Sequence, residues 1–143
     1  MLVKIYTSTK KTYDQMYVGY TIVGDKDQEY ATNIIKVNEH NPISAQVYGV
    51  MSALCWVKNN KPLYCDTSEI MCYSNIDNKN KDILLNKLQK NDYIKCFTNN
   101  ISFNKIDIKD SDRLYRLTQQ IDWKIMRDKY NMLSQFNKLS GRE

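Results

Sequence analysis

The stretch Asn41-Pro42-Ile43-Ser44-Ala45-Gln46-Val47-Tyr48-Gly49-Val50-Met51 is where this chain changes period. Proline in a first helical turn sacrifices no hydrogen bond, so Asn41-Pro42 suits a helix start. After it Val47, Val50, Met51, Leu54 and Val57 recur at three- and four-residue intervals, the stripe of an amphipathic helix, and Asn59-Asn60-Lys61-Pro62 ends it. Upstream the period is two. Residues 2–7 alternate and are rich in branched and aromatic side chains, which predicts a strand. Residues 10–15 are polar and read as a turn into a second strand at 16–23. Gly24-Asp25-Lys26-Asp27 then closes a hairpin into a third strand around 29–37. Three strands with short turns imply an antiparallel meander ahead of the helix.

Downstream, residues 62–65 read as a short strand and 68–73 as a brief helix. A polar, Asn- and Lys-rich stretch at 75–81 leads to a helix at 82–90. Residues 92–98 read as a fifth strand, 99–110 as a loop, and a long helix begins near Ser111. A strand followed by a helix and another strand needs a crossover, which is right-handed and sets the fourth strand parallel to the first. The predicted fold is therefore α/β: a mixed five-stranded sheet, three antiparallel strands then two parallel, flanked by helices, with a long C-terminal helix. No internal repeat is visible.

With 143 residues the prior favours one core-bearing domain, and 16 aromatic residues with 42% apolar residues argue against disorder. Net charge is +5, of which +4 lies from Arg113 onward, where seven Lys or Arg face three Asp or Glu. Such a tail can draw in phosphates or an acidic partner, or can be a solvated helix face. The cysteines (Cys55, Cys65, Cys72, Cys96) lack C-x-x-C spacing, and the single His40 makes a Cys/His zinc site improbable. No stretch reaches the roughly 18 apolar residues of a membrane span, and no signal-peptide pattern opens the chain. The chain reads as cytoplasmic, with reduced thiols and no membrane partner.

Four segments then carry chemistry. They are Lys4-Ile5-Tyr6-Thr7-Ser8, Ser44-Ala45-Gln46-Val47, Leu63-Tyr64-Cys65-Asp66-Thr67 and Ser111-Asp112-Arg113-Leu114. In this order and spacing, over roughly residues 2–121, they resemble the active-site segments of the ribonuclease H-like superfamily, type 1. Tyr64-Cys65-Asp66-Thr67-Ser68-Glu69-Ile70 is similar to the family's aromatic-Thr-Asp-Ser-x-x-Val pattern. The resemblance implies cleavage of the RNA strand of a hybrid by two divalent ions about 4 Å apart, held by four carboxylates. Ser8 stands where the family has its first aspartate and Gln46 where it has a glutamate; Asp66 and Asp112 match the other two acids. Two of four charges are gone, so the resemblance implies a degenerate site: no assembled metal pair, Asp66 and Asp112 holding a single ion at most, and Mg or Mn engaged only if activity persists. The family's histidine before the last helix is also missing from 99–110, and Pro42 and Ile43 stand where its paired asparagines touch RNA. Asp14, Glu69 and Asp110 are the substitute ligands open to a rearranged site.

The resemblance divides the chain into a ribonuclease H-like domain at 1–121 and a C-terminal helical extension at 122–143. Leu114, Leu117, Ile121, Ile125, Met132, Phe136 and Leu139 fall on one stripe. A helix over 112–140 runs about 43 Å, longer than the domain needs, so its second half folds back over the sheet or meets another molecule. Trp123, Ile125, Met126, Tyr130, Met132, Leu133 and Phe136 are the candidate partner-binding residues. The favoured expectation is a catalytically inactive ribonuclease H-like protein that binds a protein or assembles with itself through this helix. The alternatives are a nucleic-acid-binding module using Arg113, Arg116, Lys124, Arg127 and Lys129, or a divalent-metal ribonuclease with a rearranged site.

Overall fold

The computed structural model describes residues 2–13, 15–60, 68–97, 100–103 and 106–139. The alternating N-terminal segments form β1 (Leu2–Lys11), β2 (Met16–Val23) and β3 (Glu29–Val37). They pair antiparallel, with Lys4 opposite Val23 and Met16 opposite Val37. In the β2–β3 turn Gly24 N–H donates to the Gln28 carbonyl and Asp27 takes a positive φ of 62°. Aspartate tolerates that left-handed conformation better than most residues. Its carboxylate meets Lys4 at 2.9 Å and Lys109 at 2.5 Å, tying the turn to the last helix.

The helix α1 (Pro42–Lys58) starts where the period changes, with the Asn41 side chain accepting from Ile43 N–H at 2.9 Å. After it the structure departs from the sequence reading. The fourth strand, β4, is Glu69–Ser74, the segment read as a brief helix, while the strand expected at 62–65 lies outside the described residues. β4 runs parallel to β1, from Leu2 against Glu69 to Thr7 against Ser74. Six residues sandwiched between helix layers carry no strand alternation, so periodicity alone does not separate such a strand from a helical turn. Helix α2 (Asn78–Lys90) follows, then α3 (Asp92–Lys95), where a strand was read. The Asn91 side chain accepts from Ile94 N–H at 3.0 Å and so caps a turn of helix. The fifth strand, β5 (Ile101–Phe103), lies inside the segment read as a loop and pairs parallel with β4.

The sheet order is β3-β2-β1-β4-β5, a mixed sheet of three antiparallel and two parallel strands. On one face Val50, Leu54 and Val57 of α1, Leu84 and Leu88 of α2 and Ile94 of α3 pack on Val3, Ile5, Ile22, Ile70 and Cys72. On the other, Leu114 and Leu117 of α4 (Ile108–Leu139) pack on Tyr6 and Tyr73. Glycines let both layers approach the sheet. A Cβ on Gly49 of α1 would lie 2.7 Å from Val18 Cγ2, and one on Gly19 of β2 would lie 2.9 Å from Leu117 Cδ1.

α4 begins at Ile108, three residues before the expected start. Asp107 Oδ1 accepts from Asp110 N–H at 2.9 Å and Asp110 Oδ2 accepts from Asp107 N–H at 3.2 Å, a reciprocal cap. Its 32 residues run unbroken for about 48 Å, so the chain does not fold back. The inward stripe also ends sooner than read. Leu114, Leu117 and Ile121 are buried and Ile125 is half-buried, whereas Met132 and Phe136 are exposed. Beyond Asp128 almost every described side chain of α4 is exposed. Among the described residues no helix is long and apolar enough to cross a membrane.

Candidate functional site

Two hydrogen-bonded groups meet where β4 stops beside β1. Strand alternation sends Thr7 to the α1 side and Ser8 to the α4 side. On the α1 side, Gln46 Oε1 accepts from Thr7 Oγ1 at 3.0 Å and from Ser74 Oγ at 2.5 Å, and Ser74 Oγ in turn accepts from Ile76 N–H at 3.1 Å. On the α4 side, Asn75 Nδ2 donates to Ser8 Oγ at 3.0 Å, and Thr118 Oγ1 lies 2.8 Å from that hydroxyl. Thr118 passes its own proton to the Leu114 carbonyl at 2.9 Å, so Ser8 donates to Thr118. Each chain of hydroxyls therefore has one direction and ends on a carbonyl. Thr7, Ser8, Gln46 and Ser74 are each no more than 1% exposed, whereas Thr118 is half-buried and Asn75 is exposed, so the node is buried on the strands and meets solvent at Asn75. Neighbouring Asn75, Ile76 and Asp77 line two clefts of about 830 and 320 Å³.

No group in the node carries charge. A divalent pair wants anionic oxygens with free lone pairs, and Mg²⁺ holds water unless carboxylates or phosphates replace it. Here the donor set is four hydroxyls and two amides, hydrogen-bonded to one another and to the Ile76 and Leu114 backbone. These residues do not fit a two-metal centre. Among the described residues no group of three His, Cys, Asp or Glu could hold a metal ion.

The structure distributes the sequence candidates unevenly. Ser8 and Gln46 reach the same end of the sheet, on opposite faces, linked through the Ser74–Asn75 step. Asp66 lies outside the described residues, and the position ending β4 beside β1 belongs to Ser74. Asp112 is exposed and sits six residues, roughly 9 Å of helix rise, before Thr118, so it does not join Ser8. Of the substitute ligands, Asp14 is outside the described residues. Glu69 pairs with Leu2 at the far end of β4, roughly 16 Å from Ser74. Asp110 is buried and already occupied by Tyr6 Oη, which donates to it at 2.6 Å. Burial, reinforced by that hydrogen bond, pushes the Tyr6 phenol well above the ordinary tyrosine range. Tyr6 also stacks on Tyr73 with ring centroids 4.4 Å apart, under the Arg113 guanidinium at 5.4 Å.

Sequence reasoning missed Thr7, Ser74, Asn75 and Thr118. Once β4 is set at 69–74, strand register alone brings Ser74 to Thr7; nothing local marks Thr118. The expected cations separate too. Arg113 is buried, Lys124 pairs with Asp128 at 3.4 Å, and Arg116, Arg127 and Lys129 are exposed. Asp128 also accepts from Tyr17 Oη and pairs with Lys36, both at 2.9 Å, and Lys36 chiefly holds its carboxyl down at about 2.

Set on this sheet order and helix placement, the chain has a ribonuclease H-like fold. No family model matches it and no curated protein matches its sequence. Among solved structures it is similar to ribonuclease H1 of the halophilic archaeon Halobacterium salinarum NRC-1 (TM-score 0.57, 13% identity, covering 82% of this chain and 94% of that one). LC11-RNase H1, isolated from compost, is similar at TM-score 0.60 and 15% identity, over 86% of this chain and 97% of that one. The same LC11 enzyme in complex with RNA/DNA hybrid gives TM-score 0.59 and 18% identity, over 80% of this chain and 92% of that one. At these identities the likeness is one of fold.

Proposed function

We propose that this protein is a ribonuclease H-like protein that has lost metal-dependent hydrolysis and works by binding, with α4 as its contact surface. One observation carries the reading: the strand end where the family gathers its carboxylates is filled by Thr7, Ser8, Gln46, Ser74, Asn75 and Thr118, all neutral and hydrogen-bonded to one another. Neutral groups such as these do not offset the repulsion of two dications a few ångströms apart. The test is incubation of purified protein with an RNA/DNA hybrid in Mg²⁺ or Mn²⁺. No cleavage above the protein-free background is expected. Hybrid turnover that disappears in Asp66→Asn or Asp112→Asn would overturn the reading. The free Cys55 and Cys96 thiols, both exposed, suit a reducing intracellular setting.

A nucleic-acid-binding role without cleavage is the second reading. It is favoured by the hybrid held by the LC11 enzyme on the same fold, and by Arg116 and Arg127, exposed on one flank of α4. Hybrid affinity that falls steeply with salt, and falls further in Arg116→Ala with Arg127→Ala, is its signature. Against it, the larger cleft carries Asp77 and Asp82 with Lys81 and so offers phosphate no net attraction.

A further inference from the structure

We infer that α4 pairs in parallel with α4 of a second copy of this chain, forming a two-fold dimer; this deepens the binding role proposed above by naming the partner. The helix has two apolar faces. Leu114, Leu117 and Ile121 point into the sheet. On the opposite side Gln119, Trp123, Met126, Tyr130, Leu133 and Asn137 follow at intervals of four, three, four, three and four residues. That is the heptad spacing of a two-stranded coil, with Trp123, Tyr130 and Asn137 at the first core position and Gln119, Met126 and Leu133 at the second. Trp123, Met126, Tyr130 and Leu133 are 64%, 67%, 72% and 57% exposed, so packing on the sheet leaves the seam open.

The pattern selects its occupant. A strict 3.5-residue repeat is matched by another helix with the same repeat, and an identical copy supplies one in register. Asparagine at the first core position, as Asn137 stands here, favours parallel pairs by meeting its own counterpart. The flanks agree in charge: in a parallel pair Asp122 lies beside Arg127 of the second copy, twice by symmetry. Asp122 already pairs with Lys10 of its own chain, and its carboxylate can serve both cations. The area is sufficient. Four large side chains about two-thirds exposed bury roughly 500 Å² per copy, or about 1,000 Å² for the pair, at the lower bound for a specific interface. Beyond Asp128, helical turns largely exposed and carrying apolar residues gain stability from such a neighbour.

Sedimentation equilibrium of the full chain across the micromolar range tests this. The mass is expected to rise from 16.9 kDa toward twice that value with concentration. Met126→Lys with Leu133→Lys should leave a folded monomer that melts no lower than the wild-type chain diluted to its monomeric range, because both residues are exposed in the single copy. Arg127→Glu should weaken association about tenfold, and adding Asp122→Lys should restore it, as only a parallel pair requires. A chain monomeric at every concentration, a dimer indifferent to the paired lysines, or a charge swap that restores nothing would each overturn the inference. So would a monomer whose seam binds only a different protein. These readouts are independent of hybrid cleavage, so loss of the dimer and loss of the non-hydrolytic reading remain separate results.

Discussion

Gln46 shows how a buried amide can hold a node together. One carbonyl oxygen accepts hydrogen bonds from Thr7 and Ser74, so Gln46→Ala would strand two buried hydroxyls and open a cavity. A loss of about 2–4 kcal/mol is expected, seen as a fall of roughly 10 °C in thermal midpoint. Replacing the group together, as Thr7→Val, Gln46→Leu and Ser74→Ala, should cost less than Gln46→Ala alone, since the two buried hydroxyls go with their acceptor and only the half-buried Ile76 N–H loses a partner. Asp27 and Asp128 give a pH signature. Both carboxyls sit at about 2 in the folded chain against 3.8 when free, Asp27 through Lys109 and Lys4 and Asp128 chiefly through Lys36. The unfolded chain therefore binds these protons first. The stabilisation is whole above about pH 4 and is lost as pH falls toward 2. Asp128→Asn should flatten that part of the curve of thermal midpoint against pH. Burial pushes the Cys72 thiol up to about 12, so at pH 8 a thiol reagent should label Cys55 and Cys96 quickly and Cys72 only on unfolding. Residue-resolved mass mapping checks it.

At the scale of the element, helix and sheet meet through glycine. Gly49→Ala gains helix propensity of about 1 kcal/mol, yet its methyl would sit 2.7 Å from Val18 Cγ2, where overpacking costs about 1–3 kcal/mol. A net loss is expected by denaturant unfolding, relieved when Val18→Ala is added; a stabilised single variant would contradict the close approach. The elements also show what a sequence reveals. The meander, α1 and the long last helix were legible because each repeats one period over eight or more residues. β4 was read as a helix because Glu69–Ser74 is short and covered on both sides, while the motif around Asp66 drew the strand to residues ahead of it. The false strand at 92–98 ignored Asn91 as a cap, and the late start of α4 ignored the spaced pair Asp107 and Asp110. Those shifts explain the site. Ser8 and Gln46 could be named from sequence, but Ser74 needs strand register and Thr118 needs the packing of a helix more than a hundred residues away.

For the whole molecule, α4 is both wall and mast: its first half closes one face of the sheet and its last turns stand clear. A chain ending at Asn131 keeps Asp128 with Tyr17 and Lys36, so it should melt within a few degrees of the full protein. It should also have lost self-association, since Leu133 is gone; calorimetry and sedimentation read the two outcomes separately.

The saturated strand end also limits which substitutions it can take. A lone aspartate at position 8, or a lone glutamate at position 46, would be an anion without a cationic partner at a position no more than 1% exposed in this structure. Each such charge is unfavourable by itself, because folding must bury it without a counter-ion. Mutual satisfaction of these hydroxyls and amides thus works as a lock against single acidic substitutions, set by folding stability alone.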